Sequence, residues 1–175
     1  LDGFDTLGFF SKLAGERLTI PEEWRVEPMP VTMATAWFMA SEDVLVGDPK
    51  VAAQKYLEAC IVEVTPVQLA RMGAVLASGG VRGEERLMRP QTVRQVLSVT
   101  ATAGMYEDSG EWFSDVGMPA KSGVSGTVLA VAPGWGAIAA YSPLLDEAGN
   151  SVRGSKVIEL LAEKWRLHFV DRGFH

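Results

Sequence analysis

The sequence predicts an α+β fold in which helices are followed by an antiparallel sheet and a C-terminal packing helix. Up to Met105, apolar side chains recur every three or four positions, which is the helical period. Beyond it the pattern changes to short apolar runs separated by glycine and proline, as in strands and tight turns. A helical pattern returns at Val157–Leu167. Helices segregated from an antiparallel sheet define the α+β class.

Composition limits the possible functions. A chain of 175 residues with 47% hydrophobic residues can bury one sizeable core, so one domain or part of one is expected. The net charge of −6 and the lack of a basic run disfavour nucleic acid and anionic membrane surfaces as partners. No apolar run approaches the roughly 20 residues that span a bilayer, so membrane insertion is not expected. A small molecule or a protein is the expected partner.

The single cysteine and the first residue bear on location and processing. Cys60 has no second cysteine to pair with and lies in a helical pattern. It is therefore predicted to be a buried structural thiol in a reducing intracellular compartment, either cytoplasm or mitochondrion. The chain opens with Leu1 rather than methionine, which predicts a processed, truncated or incompletely determined polypeptide.

The N-terminal part alternates helices with an irregular connection. Phe4–Leu13 has one apolar stripe at i, i+3 spacing and is predicted to be a helix that ends at Gly15. Leu18–Pro30 contains three prolines and is predicted to be irregular. Val31–Met39 is apolar on nearly every face, which predicts a helix deep in the domain. Val51–Cys60 is predicted to be the next helix.

The central helices have clear start signals. Thr65-Pro66-Val67-Gln68 is a capping box with proline at the first helical position, and Gly79-Gly80 ends that helix. Val81–Arg86 is predicted to be a charged surface turn. Arg89-Pro90-Gln91 opens another helix, with Val93, Val96 and Leu97 inward.

Three antiparallel strands are predicted at Trp112–Val116, Gly126–Ala132 and Ala137–Tyr141. Between the first two, Pro119–Gly126 consists mostly of small residues. Such a segment allows a ligand to approach backbone amides, so it is interpreted as a strand edge that lines a pocket. The alternative is a β-hairpin whose glycines only relieve crowding against a helix.

Several spaced motifs resemble the C-terminal half of the serine-dependent glutaminases, relatives of the serine β-lactamases and penicillin-binding proteins. They are Tyr56-Leu57-Glu58-Ala59-Cys60, Ala77-Ser78-Gly79-Gly80, Gly104-Met105-Tyr106, Ser109-Gly110-Glu111-Trp112, Pro119–Val124, Ser142–Asp146 and Gly149-Asn150-Ser151-Val152. The resemblance implies that residues 31–175 are the C-terminal portion of a glutaminase-like domain with a β-lactamase-like fold. Residues 1–30 are expected to be a diverged, partly irregular segment.

The resemblance also implies a reaction, the hydrolysis of L-glutamine to L-glutamate and ammonia through an acyl-enzyme. Members of the family use Ser-x-x-Lys, in which the lysine one helical turn away deprotonates the nucleophilic serine. No lysine of this chain has a serine three positions before it. The chain alone is therefore predicted to be inactive.

Candidate site residues follow from the resemblance, position by position. Tyr106 matches a tyrosine beside the family's nucleophile that relays protons, and Val124 matches the residue whose backbone amide supplies half of the oxyanion hole. Tyr56 matches a substrate-binding tyrosine, although a lone helical tyrosine is otherwise most simply a packed residue. Lys121 resembles the lysine of the β-lactamase Lys-Thr-Gly strand, with a structural or a direct role left open.

The family pattern breaks near residue 30. Glutaminases carry a Ser-Glu pair followed by Asp-Arg-Asn, and the glutamate and asparagine hold the amino-acid end of the substrate. This chain has Val26-Glu27 and then Pro30-Val31-Thr32, so Thr32 stands where the asparagine is expected. Glu27 is either a substitute for the glutamate or an ordinary solvated carboxylate.

No cofactor or metal is predicted. His168 and His175 have no companion histidine or cysteine at ligand spacing, so solvated or capping roles are expected. No phosphate-binding glycine motif is present.

Two functions remain open. The chain is either the C-terminal part of a working glutaminase or a catalytically inactive structural or regulatory subunit of a larger complex. Both predict association, with the missing N-terminal half or with other subunits, and oligomer formation. L-Glutamine or L-glutamate is the expected ligand if the pocket works.

Overall fold

The computed structural model describes residues 3–24 and 26–171. The chain divides into two compact units, Leu1–Val64, called the helical unit below, and Thr65–His175, called the sheet unit. The boundary expected between residues 30 and 31 separates a diverged segment from the glutaminase-like portion of the sequence. It is not a boundary between compact units, and it stays a prediction.

The helical unit contains helices α1 at Thr6–Ala14, α2 at Pro30–Ser41 and α3 at Pro49–Cys60. Helix α1 begins where the Asp5 carboxylate accepts a hydrogen bond of 2.8 Å from the amide of Gly8, and it ends at Gly15 in the left-handed conformation. The connection to α2 is irregular apart from a 3₁₀ turn at Glu22–Trp24. The three predicted helices are confirmed.

Helix α2 lies largely at the surface, so the prediction of a helix deep in the domain was wrong. Trp37 is 54% exposed and Phe38 is 66% exposed, and Ala36 is the one buried residue of the helix. A helix that is apolar all round is buried only where neighbours cover every face. In the described part of the chain α3 packs against α2, which leaves the other faces open.

The sheet unit opens with helix α4 at Pro66–Ala77, and its capping box is confirmed. The side chain of Gln68 accepts a hydrogen bond of 2.7 Å from the Thr65 amide, and the Thr65 hydroxyl accepts one of 3.2 Å from the Gln68 amide. The charged turn that follows is a short hairpin of β1 at Val81–Arg82 and β2 at Glu85–Arg86. Helix α5 then spans Pro90–Ala103.

The strand predicted at Trp112–Val116 is a helix instead, since α6 spans Ser109–Asp115. Trp112 and Val116 are four residues apart, and the Val116 amide donates to the Trp112 carbonyl at 2.8 Å. The Trp112 indole donates to the carbonyl of Met118 at 2.9 Å, which ties the helix to the chain after it. A short apolar run is compatible with the period of a helix and with that of a strand. Here the i, i+4 contact between Trp112 and Val116 favours the helix.

The three-stranded antiparallel sheet is confirmed, with a different first strand. Its strands are β3 at Ala120–Gly123, β4 at Thr127–Ala132 and β5 at Gly136–Tyr141, in the order β3-β4-β5. Ser122 pairs with Val128, and Val128 pairs with Ala140. The small-residue segment therefore contributes an edge strand of this sheet.

Helices cover both faces of the sheet. Helix α7 at Val152–Trp165 packs Ile158 and Ala162 into the core, together with the even-numbered residues of β4. On the other face Gly73 of α4 approaches the sheet so closely that an added Cβ would lie 2.6 Å from Ala137 Cβ. The α+β class, with an antiparallel sheet and a C-terminal packing helix, is confirmed.

Cys60 is a free and exposed thiol, so the prediction that it is buried was wrong. It is the last residue of α3, whose buried residues, Pro49 and Ala53, lie in the first half of the helix. Over the described residues, no helix is long and apolar enough to cross a membrane.

Candidate functional site

Tyr106 has an unusual backbone conformation at the end of helix α5. It opens a single 3₁₀ turn, Tyr106–Asp108, called the tyrosine turn below, with φ of +53°. Positive φ is rare for a bulky residue and costs about 1–3 kcal/mol. The side chain is 40% exposed, so the hydroxyl-bearing ring is accessible to a ligand.

Strand β3 holds the tyrosine turn from one side. The Ser122 amide donates to the Gly104 carbonyl at 3.1 Å, and a Cβ on Gly104 would collide with the carbonyl oxygen of Ala120. Glycine is therefore required where the end of α5 meets β3. The close approach places the Lys121 ammonium group 4.5 Å from the centroid of the Tyr106 ring, a cation–π contact. The same ammonium group donates a hydrogen bond to the Ser122 carbonyl.

The loop before helix α7 holds the tyrosine turn from the other side. Gly149 lies against the Tyr106 ring, since an added Cβ would be 3.5 Å from Tyr106 Cε2. Asn150 is 2% exposed, and its Nδ2 donates to the Met105 carbonyl at 3.2 Å and to the Asp108 carboxylate at 2.7 Å. The sequence did not predict a role for Asn150. The only signal in the sequence was an asparagine in the motif Gly149-Asn150-Ser151-Val152, directly before the helix N-cap Ser151.

Val124 lies in the turn that joins β3 to β4. Its side chain is 75% exposed, and the turn closes through a hydrogen bond of 2.8 Å from the Gly126 amide to the Gly123 carbonyl. Gly126 has φ of +96°, which favours glycine there. Across the residues that the structure describes, the Val124 amide has no hydrogen-bond partner. An unpaired, accessible amide is the donor that an oxyanion hole requires.

Tyr56 and Thr32, both expected to contact substrate, line one cavity of about 460 Å³ in the helical unit. The rest of its lining is mostly apolar and comes from α2, α3 and the segment between them: Val31, Thr35, Ala36, Met39, Leu45, Ala52 and Ala53. Glu27 lines a different cavity, of about 190 Å³, with Gln54 and Glu58. The structure thus brings Thr32 and Tyr56 together and places Glu27 elsewhere.

Comparison with known proteins identifies the family. The glutaminase family model matches residues 5–169. This chain belongs to the glutaminase family. A glutaminase from Colwellia psychrerythraea is 41% identical over 161 residues, covering 89% of this chain and 52% of the relative. A glutaminase from Corynebacterium efficiens is 38% identical over 168 residues, covering 93% of this chain and 40% of the relative. The chain therefore spans about half the length of these curated relatives.

Solved glutaminase structures share this fold. The structure of Mglu in its glutamate form is 40% identical with a TM-score of 0.85, covering 94% of this chain and 39% of that one. A Bacillus subtilis glutaminase in covalent complex with 5-oxo-L-norleucine is 30% identical with a TM-score of 0.84, covering 93% of this chain and 60% of that one. The predicted membership of a β-lactamase-like glutaminase fold is confirmed.

In this glutaminase-family chain, the ligands for a metal ion do not converge among the described residues. No group of three or more histidine, cysteine, aspartate or glutamate side chains is placed to hold one. His168 caps local backbone, with Nε2 3.1 Å from the Ser114 carbonyl and Nδ1 accepting from the Val170 amide at 3.2 Å. His175 lies outside the described residues.

Proposed function

We propose that this chain contributes one wall of a glutaminase active site, in which L-glutamine is hydrolysed to L-glutamate and ammonia. Family membership supports the reaction class. The glutamate form of Mglu supports a glutamate-type ligand, and the covalent complex of the Bacillus subtilis glutaminase supports an activated nucleophile in the family. Both observations belong to relatives, and their extension to this chain is the proposal.

The strained backbone of Tyr106 is the observation that carries the proposal. A tyrosine at φ of +53° persists only where its surroundings enforce it, and such strain is concentrated at functional sites. Strand β3 and Gly149 hold the ring while its edge stays exposed. The proposed role of the Tyr106 hydroxyl is to relay the proton between the nucleophile and the leaving ammonia.

The Val124 amide is proposed to stabilise the oxyanion. Acyl transfer from an amide passes through a tetrahedral intermediate whose negative oxygen needs preorganised donors. The Val124 amide is unpaired in the described structure, as such a donor must be before substrate arrives. The Lys121 ammonium group, 4.5 Å from the centroid of the Tyr106 ring, adds a positive charge on this side of the proposed site.

Substrate contacts are proposed for Tyr56 and, more weakly, for Thr32. Both line the same cavity, so one ligand can reach both side chains. Threonine has a shorter side chain than asparagine and cannot present a carbonyl acceptor and an amide donor together. Glu27 lies on another cavity, which favours its interpretation as an ordinary carboxylate.

The nucleophile is proposed to come from outside these 175 residues. None of the lysines is preceded by a serine three positions earlier, so the family's Ser-x-x-Lys is not in this sequence. We therefore propose that these residues work together with a glutaminase part that carries it, on the same or on another polypeptide. A reducing compartment is proposed because Cys60 is an exposed free thiol, and bacterial relatives favour the cytoplasm over a mitochondrion.

An inactive structural or regulatory subunit is the second candidate function. The missing Ser-x-x-Lys and the replacement of asparagine by Thr32 favour it. In that case the tyrosine turn serves only to join α5, β3 and the loop before α7, and no substrate reaches Tyr106.

Complementation separates the two candidates. The chain would be co-expressed with the Ser-x-x-Lys-bearing part of the Colwellia psychrerythraea glutaminase, and ammonia release from L-glutamine would be measured. We expect no activity from either piece alone and measurable activity from the pair, lost on Tyr106→Phe. A stable pair without activity supports the second candidate, whereas activity of the pair that persists in the Tyr106→Phe variant rules out only the proton-relay role of Tyr106.

A further inference from the structure

The hydroxyl group of Ser109 bonds to the backbone on both sides of Tyr106. It donates a hydrogen bond of 2.7 Å to the Tyr106 carbonyl and accepts one of 3.0 Å from the Met105 amide. A serine hydroxyl has one donor and accepts through its lone pairs, so it can make both bonds at once. The two bonded groups lie on either side of the N–Cα bond of Tyr106, whose φ is +53°. The hydroxyl therefore holds the strained torsion from both ends.

Capping of helix α6 does not explain this serine. Ser109 is the first residue of α6, and a serine at a helix start usually accepts a hydrogen bond from an amide of the following turn. Here the N-cap is Asp108, which makes no side-chain cap bond, and both bonds of Ser109 lead back to the chain before the helix. The hydroxyl thus serves the tyrosine turn rather than the helix.

Burial makes the bonds of Ser109 costly to lose. Ser109 is 3% exposed and Met105 is 1% exposed, so water has little access to either residue. A buried amide that loses its acceptor destabilises the conformation that buries it. Without the hydroxyl, the turn is free to relax toward the negative φ that a tyrosine prefers.

A second buried side chain supports the same turn from outside Tyr106. Nδ2 of Asn150 donates to the Met105 carbonyl and to the Asp108 carboxylate, which fixes the residue before the tyrosine and the second residue after it. Of these two side chains, in the described structure, Ser109 is the one that bonds to the backbone of Tyr106 itself. Ser109 is therefore the residue that controls the torsion.

We propose that Ser109 is a positioning residue, whose hydroxyl holds Tyr106 at positive φ and so sets the place of the phenol hydroxyl. This role rests on the proposed function, since it requires Tyr106 to relay a proton. Rotation about the N–Cα bond of Tyr106 would carry the ring away from its contacts with Lys121 and Gly149. Proton transfer needs hydrogen-bond reach, and a displacement of about 1 Å is enough to slow a reaction by about a hundredfold.

Carbon-13 NMR of the full chain, labelled at Cζ of tyrosine, tests the position of the ring without catalysis. The chain has three tyrosines, so three signals are expected, and Tyr106→Phe assigns one of them. In Ser109→Ala we expect the Tyr106 signal to shift or split, while the signals of Tyr56 and Tyr141 stay in place. Ser109→Cys fills nearly the same space with a weak hydrogen-bonding group, so it should fold and change the same signal.

Ser11→Ala is the matched control for the loss of a bridging serine. The Ser11 hydroxyl donates to the Leu7 carbonyl at 2.7 Å and accepts from the Leu18 amide at 3.0 Å, which are the distances found at Ser109. It lies in the helical unit and bonds to neither side of Tyr106. The control variant should therefore leave the Tyr106 signal unchanged.

Kinetics of the co-expressed pair connect the position of the ring to the reaction. Ser109→Ala should lower kcat by roughly tenfold to a hundredfold. In a Tyr106→Phe background the same substitution should change kcat by no more than about twofold, because a residue that acts only through the phenol hydroxyl then has nothing to position. Equal losses in the two backgrounds would show a general structural role and overturn the proposal.

The two measurements also separate this role from the proposed function. A Tyr106 signal that stays unchanged in Ser109→Ala overturns the positioning role, whether or not the pair is active. A shifted signal with unchanged kcat in an active pair overturns it as well, because the position of the turn then has no bearing on the reaction. A shifted signal in a pair that releases no ammonia even with the parent residues supports the positioning of Tyr106 by Ser109 and counts against the proposed function alone.

Discussion

The ammonium group of Lys121 lies 4.5 Å from the centroid of the Tyr106 ring. This contact joins the edge strand β3 to the tyrosine turn, whose backbone is strained. It depends on the close approach of Gly104, at the end of α5, to Ala120 of β3. The arrangement fixes the ring while leaving it 40% exposed.

Replacing Tyr106 by phenylalanine should abolish proton transfer by the hydroxyl group and leave the stability of the fold nearly unchanged. The ring contacts with Lys121 and Gly149 remain, so the free energy of unfolding should change by no more than about 0.5 kcal/mol. Ammonia release by the complemented assembly should fall by about 10²–10⁴-fold, the usual contribution of a proton-transfer group. Tyr141→Phe, at an exposed position on β5, is the control and should change neither quantity. A fully active Tyr106→Phe assembly would show that this hydroxyl relays no proton.

Asn150→Ala should destabilise the sheet unit. The substitution removes two hydrogen bonds from a residue that is 2% exposed, and the Met105 carbonyl keeps only the Asp108 amide as a donor, at 3.1 Å. A loss of about 2–3 kcal/mol in the free energy of unfolding is expected, measured by urea denaturation. Glu147→Ala, in the same loop and exposed, should cost much less. Equal stability of the two variants would contradict the anchoring role of Asn150.

Two glycine substitutions should have opposite effects. A Cβ at Gly104 would collide with the Ala120 carbonyl oxygen, so Gly104→Ala must push α5 away from β3 and should cost at least about 2 kcal/mol. Gly110 lies in helix α6 with nothing within 4 Å of an added Cβ, so Gly110→Ala should stabilise by about 0.4–1 kcal/mol. Thermal unfolding of both variants beside the parent chain tests the pair. A neutral Gly104→Ala variant would remove the packing argument for the position of Tyr106.

The sequence predicted best the features whose interactions lie within a few consecutive residues. The capping box at Thr65 and Gln68 needs only four consecutive residues, and the structure confirms both of its hydrogen bonds. The run Trp112–Val116 was misassigned because five apolar and polar residues fit a helical or a strand period equally well. The hydrogen bond from the Trp112 indole to the Met118 carbonyl, which holds the helix to the following chain, reaches beyond the run.

Candidate residues for the site could be named from the sequence and stay predictions, whereas their geometry could not be predicted. Tyr106 and Val124 could be named through family resemblance, whereas the support from Asn150 spans 42 residues of sequence and is visible only once the chain has folded. Burial of α2 was misjudged for a related reason. The composition of α2 shows that its side chains are apolar, but the elements that pack against the helix determine which of them are buried.

The exposed apolar surface of α2 should cause association. Val31, Trp37 and Phe38 are all more than half exposed, and contiguous apolar surface of this kind indicates an interface or an aggregation site. We expect sedimentation of the isolated chain to show species larger than a monomer, and Phe38→Lys to reduce them. Glu42→Gln, which alters charge at the end of the same helix without touching the apolar surface, is the control. A monodisperse monomer that unfolds cooperatively would contradict this prediction.

Glutamate binding should be weak in the parent assembly and should improve when asparagine is restored at position 32. Thr32 and Tyr56 line one cavity, so the side chain at position 32 can act on a ligand that also meets Tyr56. Leaving one charged group of an amino-acid ligand unpaired costs about 1–3 kcal/mol or more, and Thr32→Asn should recover roughly tenfold in affinity for each polar contact regained. Calorimetric titration of the reconstituted assembly with L-glutamate measures this. Thr35→Asn is the matched control, because Thr35 lines the same cavity while its hydroxyl already donates to the Val31 carbonyl at 2.9 Å. Micromolar binding by the unaltered assembly, abolished by Tyr56→Ala, would instead mean that threonine suffices at position 32 and that the pocket works as it stands.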